Sequence, residues 1–348
     1  MISVIIPARN EAKNLPVLFR SIELQDYPSE LFEVLIIDDH SSDNSEHIFM
    51  EQAGIRNISF HRLKDHIPLL EINSYKKKAI EIGIQQSHGT LIVTTDADCI
   101  MPSSWLSTIA SFYETFKPAF IAAPVVIKAH LSFIEIFQSL DFMTLQGITG
   151  ASVHKNIHNM CNGANMAYEK SVFYDVNGFN GIDNIASGDD MLLMNKINKM
   201  YPNRTMFLKS AKAIVQTGSV KTVYEFFSQR IRWASKADSY DDKRIFSVLL
   251  VVYTFNCMLL ILPITLIFRE PGVSIFNFKF SIINFWLLSI VLKTTTEMIF
   301  LFPVSQFFKQ QKLLFFFPLM QPFHILYTVI AGWMGKFGNY KWKDRNVK

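Results

Sequence analysis

The run from Phe246 to Phe268 holds 23 residues and no charge. A helix of about 20 apolar residues crosses the hydrocarbon core of a bilayer. Such a segment constrains the chain more than any other, because lipid offers no water to unpaired backbone groups. It also divides the 348 residues: charges crowd ahead of Phe246, and Phe, Leu, Ile and Val dominate after it. A second apolar segment, Phe280–Leu301, carries Lys293 and Glu297, which share a helical face at i, i+4. Intramembrane charges are functional candidates, and a helix end with snorkelling side chains is the alternative. A third segment, Leu313–Met334, contains Pro318 and Pro322 and is expected to be irregular.

The tail carries Lys336, Lys341, Lys343, Arg345 and Lys348 against Asp344, an excess that cytoplasmic ends carry. The opening "MISVIIPARN" lacks a basic leader, and its apolar run is too short for a signal peptide. Both ends are therefore expected in the cytoplasm. Three segments then leave one crossing unmatched, so one is re-entrant or interfacial, a fourth is hidden, or the tail faces outward. The expected division is a catalytic domain over 1–220, an amphipathic interface helix over 221–245, a membrane region of two to four spans over 246–335, and a basic tail over 336–348. The net charge of +4 lies largely in that tail. A nucleic-acid partner would need a concentrated basic face on a folded domain, so none is expected. Cys99, Cys161 and Cys257 offer neither a disulfide framework nor a zinc spacing.

Ahead of the membrane region, short apolar runs alternate with helical stretches. "ISVIIP", "FEVLIIDD", "NISFHRL", "TLIVTTD" and "FIAAPVVI" read as buried strands. Glu11–Leu24, Ser45–Ala53, Ser74–Gln86 and Trp105–Phe116 read as helices. The alternation predicts an α/β fold, a mostly parallel sheet with helices on both faces. Ligands of such sheets lie beyond the carboxyl ends of the strands. No GxGxxG and no GxxxxGK[ST] occurs at these turns, which disfavours a dinucleotide fold or a P-loop.

Polar groups gather at that rim. "PARNE" (Pro7 to Glu11) follows the first strand, Asp38 and Asp39 end the second, and Asp96 and Asp98 end "TLIVTTD" and its continuation. Carboxylates at i and i+2 of an extended segment share a face and repel unless a cation sits between them. A plain Asp turn is one reading. A hard divalent cation, Mg2+ or Mn2+, is the other, with a diphosphate as its further ligand. Asp189 and Asp190 open a helical stretch through Lys199, where acidic residues suit the helix dipole. Glu225–Lys236 reads as an amphipathic helix with Gln229, Arg232 and Trp233 on one face. An interfacial anchor has the same pattern.

Asp-Asp after the second strand, Asp-x-Asp mid-domain, then Gly-Asp-Asp, then Gln-x-x-Arg-Trp ahead of membrane segments: in this order the motifs resemble the membrane-associated family 2 glycosyltransferases, inverting enzymes with the GT-A fold. The resemblance implies that Asp38 and Asp39 contact the nucleotide base and ribose, with Pro7, Arg9 and Glu11 lining that pocket. It places Lys76 near the donor phosphates. Tyr75 stands where the family has Gly, so Lys77 and Lys78 remain alternatives, and a solvated lysine run is the plainer reading. Asp96 and Asp98 resemble the metal motif, with Asp98 the direct ligand. Asp190 resembles the general base, with Asp189 beside it. Gln229, Arg232 and Trp233 resemble the motif beside the donor diphosphate and the acceptor. Gly163 and Asn165, in "CNGANMAYEK", resemble residues shaping the acceptor side. The implied donor is a nucleotide sugar, a UDP-sugar foremost, for hexosyl transfer to a membrane lipid or lipid-linked acceptor. A processive polysaccharide synthase and a catalytically silent nucleotide-sugar-binding membrane subunit are the alternatives. The expected location is the cell membrane, multi-pass, with the catalytic domain cytoplasmic.

Overall fold

The structure, a computed structural model, describes residues 1–51, 57–66, 74–128, 132–157, 160–185, 187–235, 243–265, 272–275, 278–337, 340–342 and 345–347. The chain forms two compact units, Met1–Lys128 with Leu145–Ser219, and Ala129–Thr144 with Val220–Lys348. Ala129–Thr144 thus groups with the C-terminal unit, unlike the division expected from the sequence.

In the first unit the chain runs β1 (Ile2–Ala8), α1 (Leu15–Glu23), β2 (Phe32–Asp38), α2 (Ser45–Glu51), β3 (Ile58–Arg62), α3 (Tyr75–Gln86), β4 (Leu91–Thr94), α4 (Trp105–Phe116), β5 (Phe120–Ala122) and β6 (Val125–Ile127). After α5 (Phe133–His154), which contributes to both units, come β7 (Met166–Glu169), α6 (Lys170–Asp175), α7 (Met191–Met200), β8 (Thr205–Phe207) and β9 (Val215–Thr217). A seven-stranded sheet has the order β3-β2-β1-β4-β7-β5-β8. It is parallel except where β7 runs against β4 and β5. Strands β1, β2 and β4 are almost wholly apolar, as burial on both faces of a parallel sheet demands.

Register brings the carboxyl ends of these strands to one edge. Ala8 stands opposite Asp38, and Ile5 opposite Thr94. The β4 ladder stops at Ile5, so Pro7, which lacks an N–H, has only β2 beside it in register.

"FIAAPVVI" is not one strand. Pro124 separates β5, in the large sheet, from β6, which pairs with β9. Asn165 holds this junction. Its amide nitrogen donates to the carbonyls of Pro124 and Ala213 at 2.8 Å each, and its amide oxygen accepts the Trp105 indole N–H at 2.9 Å. Asn165 is fully buried. Its side chain bonds inside the core, tying α4, the β5–β6 junction and the start of β7, so any shaping of an acceptor side by Asn165 would act through the backbone it holds.

The second unit contains α8 (Val223–Ala234), α9 (Lys243–Thr265), the hairpin of β10 (Gly272–Ile275) and β11 (Phe278–Ser281), α10 (Ile282–Phe307), α11 (Phe317–Phe337), and the hairpin of β12 (Tyr340–Trp342) and β13 (Arg345–Val347). Helix α8 starts two residues before Glu225 because Thr222 forms a capping box. The Thr222 hydroxyl accepts the Glu225 N–H at 3.1 Å, and the Glu225 carboxylate accepts the Thr222 N–H at 3.0 Å. Three stretches, Arg244–Thr265, Ile282–Phe307 and Gln311–Phe337, are long and apolar enough to cross a membrane. The third segment begins as a 3-10 helix, Gln311–Phe316, and continues as the unbroken α-helix α11. Pro318 lies in its first turn, where its missing N–H is unpaired in any helix, and Pro322 forgoes one bond to that same turn. The Arg269–Pro271 end of the first span, and Lys343, Asp344 and Lys348 of the tail, lie outside the described residues.

Replacing Asn165 by Ala strands the Ala213 carbonyl and the Trp105 indole N–H in the core and leaves the Pro124 carbonyl only its bond from the Val215 N–H, and is expected to cost about 3 kcal/mol of stability. Denaturant unfolding of the purified variant checks this; a loss below about 1 kcal/mol would mean that other groups hold the junction.

Candidate active site

Two loops meet at the carboxyl edge of β1 and β2. Asn10 and His40 both take φ near +54°, turning the chain sharply after each strand. The loops are laced together. The Asn10 N–H donates to the Ser41 hydroxyl at 2.9 Å, and the Asn10 amide oxygen accepts the Ser42 N–H at 2.8 Å. The Glu11 N–H donates to the Ser45 hydroxyl at 3.0 Å, and the Glu11 carboxylate accepts the Asn14 amide at 2.6 Å. Arg9 donates to the Asp39 carbonyl at 2.9 Å and lies 4.0 Å from the Asp39 carboxylate. Asp39 also sits 3.0 Å from His40 Nδ1, and the Asp38 carboxylate accepts the Ser41 N–H at 3.2 Å. Both aspartates are buried. Arg9, Asp38 and Asp39 thus meet where the two loops are laced together, with Pro7 near the end of β1 and Glu11 in the loop that follows it.

A second cluster forms around Lys76, in the first turn of α3. Its ammonium lies 2.7 Å from Asp96 Oδ1 and 3.2 Å from Asp189 Oδ2. Burial opposes the charge, but Asp189, Asp96 and Asp190 outweigh it and hold the ammonium above the ordinary lysine pKa. The cation that Asp96 requires is, in this structure, a lysine. Gly163 fits tightly against it. A Cβ there would lie 2.9 Å from Asp189 Oδ2 and 3.3 Å from Lys76 Nζ. The Gly163 carbonyl accepts the Thr94 hydroxyl at the end of β4, and its N–H lies 3.3 Å from Asp190 Oδ2. Asp190 is the N-cap of α7, accepting the Met191 N–H at 2.7 Å. Gly188, just ahead, takes φ +83°, a conformation that suits a residue without Cβ. Asp98 is exposed and accepts the Thr217 hydroxyl at 3.3 Å.

The three lysines of "SYKKK" differ in environment, and a solvated run describes only the last. Lys76 joins the acidic cluster. Lys77 is buried, and its ammonium donates to the carbonyls of Ile182, Ile185 and Ser187 at 2.5, 2.6 and 3.0 Å. It clamps the segment leading to Gly188-Asp189-Asp190, helped by Ser74, whose hydroxyl donates to the Asp183 carbonyl at 2.6 Å. Lys78 pairs with Glu81. Sequence reasoning missed the Lys77 clamp. Its signal is the helical period, since Lys77, Ile80 and Ile84 fall at i, i+3 and i+7 on the buried face. Tyr75 packs edge-on against the His40 ring, centroids 6.0 Å apart, and so links the two clusters.

In the second unit, Gln229, Arg232 and Trp233 of α8 are all half-buried. Between them lies Arg230, which is buried; its Nε and a terminal nitrogen stand 2.9 and 2.6 Å from Asp141 Oδ2. Arg230 and Asp141 were not singled out from the sequence, although Arg230 follows Phe226 by four and so falls on the apolar face.

The chemistry available in the first unit is therefore an ammonium and several carboxylates at the rim of an α/β sheet, with one carboxylate fixed at a helix N-terminus. Comparisons with known proteins agree with that layout. The profile of "Glycosyl transferase family 2" matches residues 3–176, and that of "Glycosyl transferase family group 2" matches residues 91–334. Glycosyltransferase AglE of Haloferax volcanii is 31% identical over 109 residues, 30% of this chain and 33% of AglE, so the match spans about a third of that relative. The mannosyltransferase PcManGT of Pyrobaculum calidifontis, solved with GDP-Man and Mn2+, superposes with a TM-score of 0.54 over 93% of this chain and 87% of its own, at 16% identity. At that identity the likeness is one of fold. S. aureus TarS 1–349, solved with UDP-GlcNAc, matches over 99% of this chain and 95% of its own at 16% identity and a TM-score of 0.48. In another TarS structure the match covers 74% of this chain and 43% of that one, at 17% identity and the same TM-score of 0.48. With the GT-A fold in place and one profile spanning half of its residues and another more than half, the chain belongs to glycosyltransferase family 2.

Proposed function

We propose that the protein is an inverting glycosyltransferase that moves a sugar, a hexose foremost, from a nucleoside-diphosphate sugar to a membrane lipid or lipid-linked acceptor. One observation carries this reading: Asp96, Gly163, Asp189 and Asp190, from three separate segments, gather around the single ammonium of Lys76. The edge that carries Pro7, Arg9, Glu11, Asp38 and Asp39 is the place for the nucleoside, and Lys76 the contact for its phosphates. The GDP-Man and Mn2+ held by PcManGT support a nucleotide sugar and a divalent cation in this fold. A UDP-sugar remains the first donor to test.

Asp96 and Asp98 are hard oxygen donors, which suits Mg2+ or Mn2+. Among the described residues no three His, Cys, Asp or Glu side chains gather into a metal cage. Two carboxylates would therefore hold the ion together with phosphate oxygens and water, the arrangement magnesium prefers with phosphate substrates. Bound there, the ion supplies charge neutralisation for the departing diphosphate.

The remaining work falls to the chain's own residues. Asp190, anchored as an N-cap, accepts the proton of the attacking acceptor hydroxyl. Asp189 stays paired with Lys76 and positions that ammonium. Attack from the face opposite the leaving group inverts the anomeric carbon in a single displacement, so no enzyme nucleophile is needed. Gly163 lets Lys76 and Asp189 approach one another closely. Gln229, Arg232 and Trp233 serve the donor diphosphate and the acceptor: Arg232 offers paired hydrogen bonds to phosphate, and Trp233 a flat apolar face. Nucleotide sugars are made in the cytoplasm, so the catalytic region is assigned to that side, and three helices long and apolar enough to cross a bilayer support a multi-pass protein of the cell membrane. Three such helices form a poor conduit for a polymer, which favours transfer of one sugar over processive synthesis. Product length on a gel with labelled donor separates the two.

Asp190→Asn is expected to lower turnover by about 10³-fold or more while donor affinity holds. Transfer of labelled sugar and calorimetric donor binding measure the two separately, and activity retained in that variant removes Asp190 as the base. Lys76→Met and Gly163→Ala should instead weaken donor binding, by about tenfold or more, with the fold intact. A donor affinity unchanged in both would detach this cluster from the donor.

A further inference from the structure

The second unit contains a buried polar core for which the proposed chemistry has no use. Asp141, on α5, stands at its centre. One carboxylate oxygen takes the two Arg230 nitrogens of α8, and the other accepts the Tyr327 hydroxyl of α11 at 2.5 Å. Both members of the ion pair are 4% exposed. Arg230 continues the chain of contacts toward the motif. It donates to the Gln229 amide oxygen at 2.8 Å, and its guanidinium carbon lies 4.2 Å from the centre of the Trp233 ring and 4.7 Å from that of Phe226. Trp233 also packs against Phe142, the residue after Asp141, centroids 6.2 Å apart.

The polar core extends along α11. Gln321, His324 and Tyr327, spaced at i, i+3 and i+6, form a polar stripe on a mostly apolar helix. The Lys293 ammonium of α10 lies 2.7 Å from Glu297, 2.7 Å from the Gln321 amide oxygen and 3.4 Å from His324. The His324 and Tyr327 rings then stand perpendicular to one another, centroids 5.4 Å apart. A cavity of ≈ 30 Å³ is lined by Asp141, Thr144, Glu297, Gln321 and His324 among apolar side chains, and so touches one carboxylate of each ion pair. It has room for about one water with several polar partners.

A buried ion pair adds little net stability over an apolar replacement, but removing one partner leaves a costly unpaired charge. Such a pair is suited to fixing one arrangement of the elements that carry it. We infer that Asp141, Arg230 and Tyr327 are positioning residues for the α8 motif. Asp141 and Tyr327 hold the Arg230 guanidinium, and Arg230 in turn fixes the Gln229 amide and the Trp233 ring in one orientation. This inference rests on the proposed role of Gln229 and Trp233 in transfer, and Asp141 acts through Arg230 without touching substrate.

The test uses the full chain in nanodiscs. The signal of Trp233 is isolated from the other four of the five tryptophans by difference against the Trp233→Phe counterpart of each variant. Asp141→Asn and Arg230→Met are expected to raise acrylamide quenching of Trp233 and to lower kcat by about tenfold, with a smaller change in KM for the nucleotide sugar. In the Arg230→Met background, Asp141→Asn should add no further loss, because both act through one guanidinium. Tyr327→Phe removes a single hydroxyl and should cost about threefold in kcat, which keeps the test sound if a charge variant fails to fold. Unchanged Trp233 quenching in these variants, or losses that add in the Asp141–Arg230 double variant, overturns the positioning role. Full turnover in Gln229→Ala and Trp233→Ala would instead overturn the function assigned to the motif, while the quenching still reports on the clamp.

Discussion

An ammonium among carboxylates organises the rim of the first unit. Asp96 arrives on the loop after β4, and Asp189 and Asp190 arrive on the turn before α7. Left without a cation, these groups would repel one another and resist burial. Lys76 removes that obstacle, and its neighbour Lys77 fixes the segment that delivers two of them. The first turn of α3 therefore both neutralises the cluster and sets its geometry. Gly163 has no side chain because the space a methyl would fill is already taken by Asp189 and Lys76.

Much of this scaffold is legible in the sequence. Parallel strands buried on both faces must be largely apolar, and β1, β2 and β4 are. Helices α2, α3 and α4 lie close to where their period places them. The failures have a common cause, which is polar residues in the core. Helix α5 escapes a period-based reading because Gln138, Ser139, Asp141, Gln146 and Thr149 are all buried in it. Asn165 looks like a turn residue until its three partners are seen, and those partners come from segments 40 or more residues distant, at Pro124, Ala213 and Trp105. Pro124 marks the break between β5 and β6, but only the fold tells which sheet each half joins.

The site was legible in part for a different reason. Acidic residues after apolar runs can be read as a rim, since strand ends in an α/β sheet share an edge. The same reading cannot apportion a lysine run. Lys76, Lys77 and Lys78 are chemically alike and adjacent, yet a helix turns each about 100° from the last, so one meets the carboxylates, one enters the core and one reaches solvent. The motif on α8 shows the converse limit. Gln229, Arg232 and Trp233 stand out by type and spacing, whereas Arg230, of the same type as Arg232, is marked in the sequence only by its place four residues after Phe226 and in the fold by the Asp141 that waits for it.

The two charge clusters differ in how they are enclosed, and the difference bears on what each can do. Lys76 and Asp96 retain 22% and 33% of their side-chain exposure, while Arg230 and Asp141 retain 4% each. A half-exposed pair is screened by water and gives up a partner at modest cost. A fully enclosed pair cannot, since each ion would then be left unsolvated. The Lys76–Asp96 pair is thus suited to parting during a catalytic cycle, the ammonium to phosphate oxygens and the carboxylate to a metal ion, while the buried Asp189 stays beside Lys76. The Arg230–Asp141 pair is suited to staying unchanged through that cycle. Polar groups that must trade ligands and polar groups that must not are separated here by access to water, with the same kinds of side chain serving both.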